Sequence, residues 1–247
     1  MTNTVEIRFV SEFVELLRMH KTTRRRLFRG QNVDRPLLPR IARLAEKNGI
    51  LFQDVTDIER KMLRRFRNES LPMLRNTQVS SDWEWLAIAQ HQGMPTRLLD
   101  WTSNALAGLW FAVAADAPDT SENGVVWVLE VDRDHETFPE KHDDIFALER
   151  TFIFQPIHTD RRITAQSAWF SVHKYVQGKG KFIPLEKNKS YRDNLTKIPI
   201  SRKHFHSLRK ELRLLGVSQV TIFPDLSGLG ADIQAEYIDT PRPLPTI

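Results

Sequence analysis

The chain has 247 residues and a net charge of +5, with 40% hydrophobic and 27% charged residues, which is typical of a soluble globular protein with one sizeable core. It contains no cysteine, which excludes disulfides, thiolate nucleophiles and the commonest structural zinc sites. Neither an apolar run long enough to cross a bilayer nor a secretory signal is visible, so we expect a cytoplasmic protein that makes no membrane contact.

Helical periodicity dominates the first half of the chain. Apolar residues recur with helical spacing in five segments, at residues 9–19, 38–47, 54–69, 83–91 and 105–115. Ser11 is a candidate cap for the first of these helices, and Gly93 is expected to end the fourth. Short strands are predicted at residues 27–30 and 97–101.

Strands are the main feature of the second half. The almost wholly apolar run at 124–131 is bounded by Asn-Gly and Asp, which predicts an interior strand. Further strands are predicted at residues 151–157, 166–172 and 197–200. Residues 202–215 predict a helix with Gly216 as its C-cap, and residues 217–223 predict a last strand or a short helical turn.

This order of elements predicts an α+β fold. We expect one domain over residues 1–240, with a mixed twisted sheet and helices concentrated in the N-terminal half. Residues 241–247 form a proline-rich tail, which we expect to be extended and peripheral.

A dense group of polar residues lies between the fourth helix and the strand that follows it. Residues 90–102 read Gln-His-Gln-Gly-Met-Pro-Thr-Arg-Leu-Leu-Asp-Trp-Thr, and Ser103 or Asn104 can cap the next helix. Free N–H groups and the dipole at a helix N-terminus favour an anion, so this layout suits a binding site. His91 is a candidate general acid or base, although a histidine at a helix end can also serve as a cap.

Two charged residues of this segment need separate partners. Arg97 and Asp100 are three apart, so on a strand they face opposite sides and cannot pair with each other. Each could serve either a ligand site or a structural network. Trp101, next to Asp100, is the one tryptophan that is a candidate for contact with a ligand. The other five lie in apolar periodic segments and are expected in the core: Trp83, Trp85, Trp110, Trp127 and Trp169.

Four segments give the chain its resemblance to FRG-domain proteins. They are Leu-Phe-Arg-Gly-Gln at 27–31, the motif at 91–102, Arg-Ile-Thr-Ala-Gln at 162–166 with Trp-Phe at 169–170, and Ile-Phe-Pro-Asp-Leu at 222–226 with Gly-Leu at 228–229. The resemblance covers nearly all of the chain, and the long central motif is its most specific part. It implies a domain of obscure function linked mainly with bacterial and phage-related proteins, where a role in defence or in a toxin system is one expectation.

A second, looser resemblance is to the ADP-ribosyltransferase-like fold, which implies NAD as a substrate. A strand ending in Phe-Arg-Gly, followed by a strand, a hydroxyl and a helix, is similar to the layout of those enzymes. The resemblance gives Arg29 as a phosphate or ribose contact, Gly30 as the clamp for nicotinamide, and Thr102 or Ser103 as the hydroxyl. Where those enzymes have a late-strand glutamate, the chain offers Gln166, which supplies no negative charge to the transition state.

Two functions therefore stay open. One is an ADP-ribosyltransferase-like enzyme or NAD glycohydrolase with Arg29, His91 and Gln166 as its catalytic residues. The other is a non-catalytic module that binds a nucleotide or a nucleic acid. For either function, the candidate ligand-binding residues are Gly30, Gln31, Gln92, Thr96, Arg97, Asp100, Trp101, Thr102 and Ser103. We expect one pocket to bring together Arg29, Gln31, His91, Thr96, Arg97, Asp100 and Gln166.

The basic run in the third predicted helix is a candidate contact for nucleic acid. Its arginines are Arg60, Arg64, Arg65 and Arg67, which could follow phosphates or form a solvated helix face. No metal is expected, because the spacing of the histidines and aspartates at 142–144 and of the histidines at 204 and 206 is poor for metal ligands.

Overall fold

The computed structural model describes residues 6–50, 55–74, 79–114, 122–142, 144–156, 166–176 and 180–238. Its strands are β1 Arg25–Gln31, β2 Leu98–Thr102, β3 Gly124–Val131, β4 Phe152–Phe154, β5 Ala168–Val172, β6 Tyr175–Val176, β7 Lys181–Phe182 and β8 Leu195–Ile200. Its α-helices are α1 Val10–Met19, α2 Arg40–Lys47, α3 Val55–Ser70, α4 Asp82–His91, α5 Ala105–Val113, α6 Phe205–Leu214, α7 Gln219–Ile222 and α8 Leu226–Tyr237.

Six of the strands form one sheet in the order β4-β5-β2-β1-β3-β8, and β6 and β7 form a separate pair. The α+β prediction is confirmed. Every pair of neighbouring strands is antiparallel, however, so the sheet is not mixed as expected. The apolar run of β3 reflects cover on both faces of the sheet, a property that parallel strands usually have but that antiparallel strands can share.

Helices are less confined to the first half than expected. The predicted helix at 202–215 is α6, and residues 219–222 form the short helical turn α7. Periodicity did not predict α8, whose sequence contains two glycines and leaves most of its large apolar side chains exposed. The proline-rich tail lies outside the described residues.

Local signals at the helix ends were mostly correct. Asn104 caps α5 by accepting hydrogen bonds from two backbone N–H groups, and Gly93 and Gly216 have positive φ just after α4 and α6. Ser11 is not the cap of α1. That helix begins one residue earlier, and the Glu12 carboxylate accepts from the free N–H groups before it.

The two faces of the sheet have different covers. On one face, which we call the α5 face, Phe28, Val126 and Val128 pack against α1, α5 and α6. On the other, which we call the tryptophan face, Leu27 packs with the tryptophans of β2, β3 and β5. Residues along β1 alternate between the faces, so Arg29 and Gln31 lie on the tryptophan face with Leu27.

The Phe-Arg-Gly triplet is split between these faces. Phe28 and Gly30 point towards α5, and a Cβ added at Gly30 would lie 2.0 Å from the Gly108 carbonyl oxygen and 2.5 Å from the Ala112 nitrogen. The glycine therefore allows β1 to approach the backbone of α5. Arg29, between them, is directed to the opposite face.

All six tryptophans are buried. The core assignment of five of them is confirmed. Trp101 is buried as well, because it lies on the tryptophan face and its indole N–H donates to the Ser171 hydroxyl at 3.0 Å.

Candidate functional site

Arg29 lies where β1 and β2 part. The two strands pair at Phe28 and Thr102. Next to that point, Arg29 Nη1 donates to the Asp100 carbonyl oxygen at 2.8 Å and lies 3.6 Å from the Asp100 carboxylate. Burial lowers the pKa of the guanidinium, and the charge of Asp100 opposes that effect. The Arg29 Nε is buried and has no hydrogen-bond partner among the described residues.

A short chain of hydrogen bonds positions the Asp100 carboxylate. Gln90 Nε2 donates to Asp100 Oδ1 at 2.8 Å, and the hydroxyl of the buried Thr96 donates to Gln90 Oε1. The Asp100 side chain is still 61% exposed, so it can meet a ligand. The structure thus brings Arg29, Thr96 and Asp100 together through Gln90.

The charges of Arg29, Arg35 and Arg40 act on Arg43, and we call these four residues the arginine cluster. The pKa of Arg43 is lowered first by burial and then by the positive charges of the other three, while Asp100 raises it. Asp100 is the carboxylate whose charge acts on Arg43. Three positive charges that act on Arg43, opposed by the single negative charge of Asp100, indicate a region of positive potential.

Most arginines of the cluster have no carboxylate partner among the described residues. Arg40 donates to the Gly93 carbonyl at 2.8 Å and Arg43 to the Leu38 carbonyl at 2.5 Å, so neither hydrogen bond neutralises charge. Arg35 makes no hydrogen bond or ion pair within the described part of the chain. Asp34, next to Arg35 in the sequence, pairs with Lys197 instead. The cluster therefore keeps a net positive charge that an anion could neutralise.

Two more buried polar atoms lie beside Arg29 on the tryptophan face. Trp127 is directly opposite Arg29 in the β1–β3 ladder, and Gln31 is two residues further along β1. Trp127 Nε1, Gln31 Oε1 and Arg29 Nε each have no partner among the described residues. An unmatched buried polar group costs about 1–3 kcal/mol, so three of them at adjacent positions point to a ligand that pairs with them.

An open cleft lies at the β8 edge of the sheet. Its volume is about 560 Å³, and Asp34, Lys197 and Pro199 contribute to its lining. Lys197 is opposite Trp127 in the β3–β8 ladder, and its ammonium group lies 5.5 Å from the centre of the Trp127 ring. The cleft therefore reaches the neighbourhood of Trp127 from the β8 edge of the sheet.

Arg97 is not part of this site. It is fully buried and forms an ion pair with Glu59 of α3, which is also fully buried, with 2.8 Å between Arg97 Nε and Glu59 Oε2. The prediction that Arg97 and Asp100 have separate partners is confirmed. Glu59 was missed because it lies among charged residues, and only its position between Val55 and Leu63, on the buried face of α3, indicates its burial.

Gln166 is also held away from Arg29. Its side-chain amide donates to the Ile222 carbonyl at 3.2 Å, next to α7 and the α5 face. Thr102 Oγ1 donates to the Gln166 backbone oxygen at 2.5 Å, and the exposed Ser103 binds Ser167 through its backbone. The first four residues of the 162–166 motif lie outside the described residues.

Other predicted ligand residues lie near the cluster or within the fold. His91 is half-buried at the end of α4, and Gln92 follows it as an exposed C-cap. Gly30 is covered by α5 on the side where a Cβ would project. The arginines on α2 were missed, although residues 35–43 contain three arginines and no acid.

The basic run on α3 is largely paired. Three of its arginines have carboxylate partners: Arg60 with Asp144 at 2.6 Å, Arg65 with Glu69 at 2.8 Å, and Arg67 with Asp82 at 3.9 Å. Arg64 has no such partner in the described ranges. These ion pairs reduce the charge that could follow a nucleic-acid backbone, and they match the alternative of a solvated helix face.

His173 is buried and is affected by the charges of both Arg29 and Arg97. Because its pKa differs between the folded and unfolded states, we expect the stability of the fold to depend on pH. Burial first, and then the charges of Arg29 and Arg97, lower its pKa to about 3. In the unfolded chain a histidine titrates near 6.5, so the unfolded state binds the extra proton below that pH. Stability from this group is complete above about pH 6.5 and is lost as pH falls towards 3. We expect a loss of about 2 kcal/mol at pH 5 relative to pH 7.

Urea denaturation at the two pH values measures this effect. His173→Gln should reduce the difference in unfolding free energy between pH 7 and pH 5 by about 2 kcal/mol. Equal pH dependence in the two proteins would show that His173 does not remain neutral in the fold.

Within the described residues, the structure contains neither a membrane-spanning helix nor a group of metal ligands. No helix there is both long and apolar enough to span a bilayer. No three histidine, aspartate or glutamate side chains there are grouped as metal ligands, and Asp143, in one of the weak sequence hints, lies outside the described residues.

Comparison with known proteins gives one family. The model of the FRG domain matches residues 24–121, which run from the start of β1 to just beyond α5. No curated protein and no solved structure matches the chain. The segments at 162–170 and 222–229 lie outside the matched range, and the resemblance to ADP-ribosyltransferases stays a hypothesis. The chain carries an FRG domain at residues 24–121, and this domain contains all four residues of the arginine cluster.

Proposed function

We propose that the FRG domain binds a phosphate-bearing nucleotide at the arginine cluster, with NAD as the first candidate. The observation that carries the proposal is that Arg29 is largely buried beside the exposed Asp100 carboxylate, and that the charges of Arg29, Arg35 and Arg40 act together on Arg43. NAD is the first candidate because of the looser resemblance of the sequence to ADP-ribosyltransferases.

Charge and geometry both favour phosphate as the anchoring group. A guanidinium presents a planar fork that binds two phosphate oxygens at once. The four arginines and Asp100 together carry a charge of about +3, and the two phosphates of a dinucleotide would neutralise about two of these charges. Because the Arg40 and Arg43 hydrogen bonds go to backbone carbonyls, their charges are available to the ligand.

The neighbouring unmatched atoms suit the rest of such a ligand. Trp127 Nε1 and Arg29 Nε are donors, and Gln31 Oε1 is an acceptor. A sugar or base bound next to the phosphates could pair with these atoms. This combination distinguishes the site from the run on α3, where carboxylates already pair with three arginines.

Chemistry on NAD would require more than binding. A glycosyl transfer needs negative charge near the ribose as its oxocarbenium character develops. Asp100 is the carboxylate beside Arg29, whereas Gln166 is occupied by the Ile222 carbonyl. Our proposal is therefore a binding function, and nicotinamide release by the natural protein and by Asp100→Asn measures turnover separately.

Calorimetric titration with NAD, ADP and adenosine tests the proposal. We expect NAD and ADP to bind and adenosine to fail, because adenosine carries no phosphate. Arg29→Gln should weaken ADP binding by about 10-fold to 100-fold, the effect of losing a hydrogen bond to a charged group. The matched control is Arg65→Gln, which removes an exposed arginine paired with Glu69 on another surface.

Two results would contradict the proposal. One is equal affinity for ADP and adenosine, which would remove phosphate from recognition. The other is an equal loss of affinity in Arg29→Gln and Arg65→Gln, which would indicate diffuse charge attraction rather than a defined site.

A further inference from the structure

Helix α8 exposes a stripe of large apolar side chains. Leu226, Leu229, Ile233 and Tyr237 follow the spacing of one helix face. Leu226 is 86% exposed and Tyr237 is 66% exposed, and Ile238 extends the stripe beyond the helix. Soluble monomers rarely expose a continuous apolar surface of this size, so the stripe indicates a contact surface.

The opposite side of α8 contacts the protein at two places. A Cβ at Gly228 would lie 1.8 Å from the Phe223 carbonyl oxygen, so α8 approaches the segment before it closely. Arg213 at the end of α6 binds Asp232 at 3.0 Å and Glu236 at 2.9 Å. The exposed stripe is therefore the outward face of a docked helix.

The stripe is complementary to itself. If a second α8 packs against it in the antiparallel direction, Leu226 lies opposite Tyr237 and Leu229 opposite Ile233, with the twofold axis near residues 231 and 232. Such a pairing is the isologous contact of a C2 dimer. Gly230 lies near that axis, and a Cβ there would meet nothing within 4 Å of its own chain. Its small size leaves room for close approach of the second helix.

Charge also favours a second copy over a membrane. The exposed neighbours of the stripe, Ser227, Gly230 and Gln234, are uncharged, so two copies bring no like charges together. Helices that lie on membranes carry lysines and arginines on their polar face, and α8 contains neither. The acids Asp232 and Glu236 both pair with Arg213 of the same chain, on the side of α8 away from the stripe.

The available area is consistent with a dimer. Next to the end of α8, Arg213 is followed by Leu214 and Leu215, which are both exposed. A stable interface buries roughly 800 Å² per partner, and the five exposed side chains of the stripe and Ile238 would form the apolar centre of such a surface. We propose that two copies of this chain form a symmetric dimer through antiparallel packing of their α8 helices.

Sedimentation velocity of the full chain tests the dimer, over concentrations of about 1–100 μM because dimer formation depends on concentration. We expect a dimer that Ile233→Glu weakens by about 30-fold or more, as for a central interface residue. Met73→Glu is the matched control, since Met73 is exposed on another part of the molecule and should leave the dimer intact.

A cross-linking experiment gives an independent readout. Because the natural chain has no cysteine, Gly230→Cys supplies a unique thiol that a short bismaleimide should join to its copy, whereas Met73→Cys should give monomers. A monomer at every concentration, or a dimer unaffected by Ile233→Glu, would overturn the proposal. Binding of wild-type monomers to phosphatidylcholine vesicles that Ile233→Glu abolishes would overturn it as well.

Discussion

Replacing Glu59 with alanine is expected to lower the free energy of unfolding by about 3–5 kcal/mol, because it leaves the positive charge of Arg97 buried without a counter-ion. Glu59 accepts hydrogen bonds from both the side chain and the backbone N–H of Arg97, and neither side chain is exposed. The other hydrogen bonds of Arg97 go to two backbone carbonyls and the Thr56 hydroxyl, each at 3.4 Å. These acceptors are neutral, so they cannot replace the negative charge of Glu59.

Urea denaturation of two control variants distinguishes the cost of leaving a buried charge unpaired from the loss of an ion pair alone. Glu69→Ala removes the partner of the exposed Arg65 and should change stability by less than about 1 kcal/mol. The double variant Glu59→Leu with Arg97→Met removes both charges and should be clearly more stable than Glu59→Ala. A loss below about 1 kcal/mol in Glu59→Ala would contradict the interpretation of a buried charge that depends on its partner.

Gly30→Ala is expected to destabilise the fold by about 3 kcal/mol or more, at the upper end of the range for overpacking. The added methyl group would meet the Gly108 carbonyl at 2.0 Å and the Ala112 nitrogen at 2.5 Å, and both atoms belong to the backbone of α5. Neither atom can rotate away, so β1 and α5 must separate.

Thermal denaturation measures this change against Gly230→Ala as the matched control. Gly230 lies in helix α8, where an added Cβ would meet nothing within 4 Å of its own chain, so alanine there should raise monomer stability by about 0.5–1 kcal/mol at low protein concentration. Similar small effects at the two glycines would show that β1 and α5 are not packed as closely as described.

The sequence predicts elements well where one local property decides them. The apolar run of β3 and the helical spacing of α3 and α4 are of this kind, as is the polar Asn104 at the start of α5. The strand direction in the sheet depends on pairing between distant segments, and an apolar run that is buried on both faces does not reveal it.

The candidate site is only partly predictable for the same reason. Within the motif at residues 90–102, Gln90, Thr96 and Asp100 form a chain of hydrogen bonds because the turn between α4 and β2 is local. The contact of Asp100 with Arg29 depends instead on the pairing of β1 with β2. The contribution of α2 depends on how that helix docks beside Gly93, and no periodicity encodes such a contact. Gln166 was assigned by analogy with another fold, whereas its hydrogen bond to Ile222 depends on the position of α7.

The most direct test of the central claim is an electron-density map of crystals soaked with NAD. Binding at the arginine cluster predicts a phosphate oxygen within about 3.2 Å of an Arg29 guanidinium nitrogen and a second phosphate contact from Arg40 or Arg43. It also predicts a ligand atom that pairs with Trp127 Nε1 or Gln31 Oε1. NAD bound at α3 or in another cleft, with no density beside Arg29, would contradict the claim.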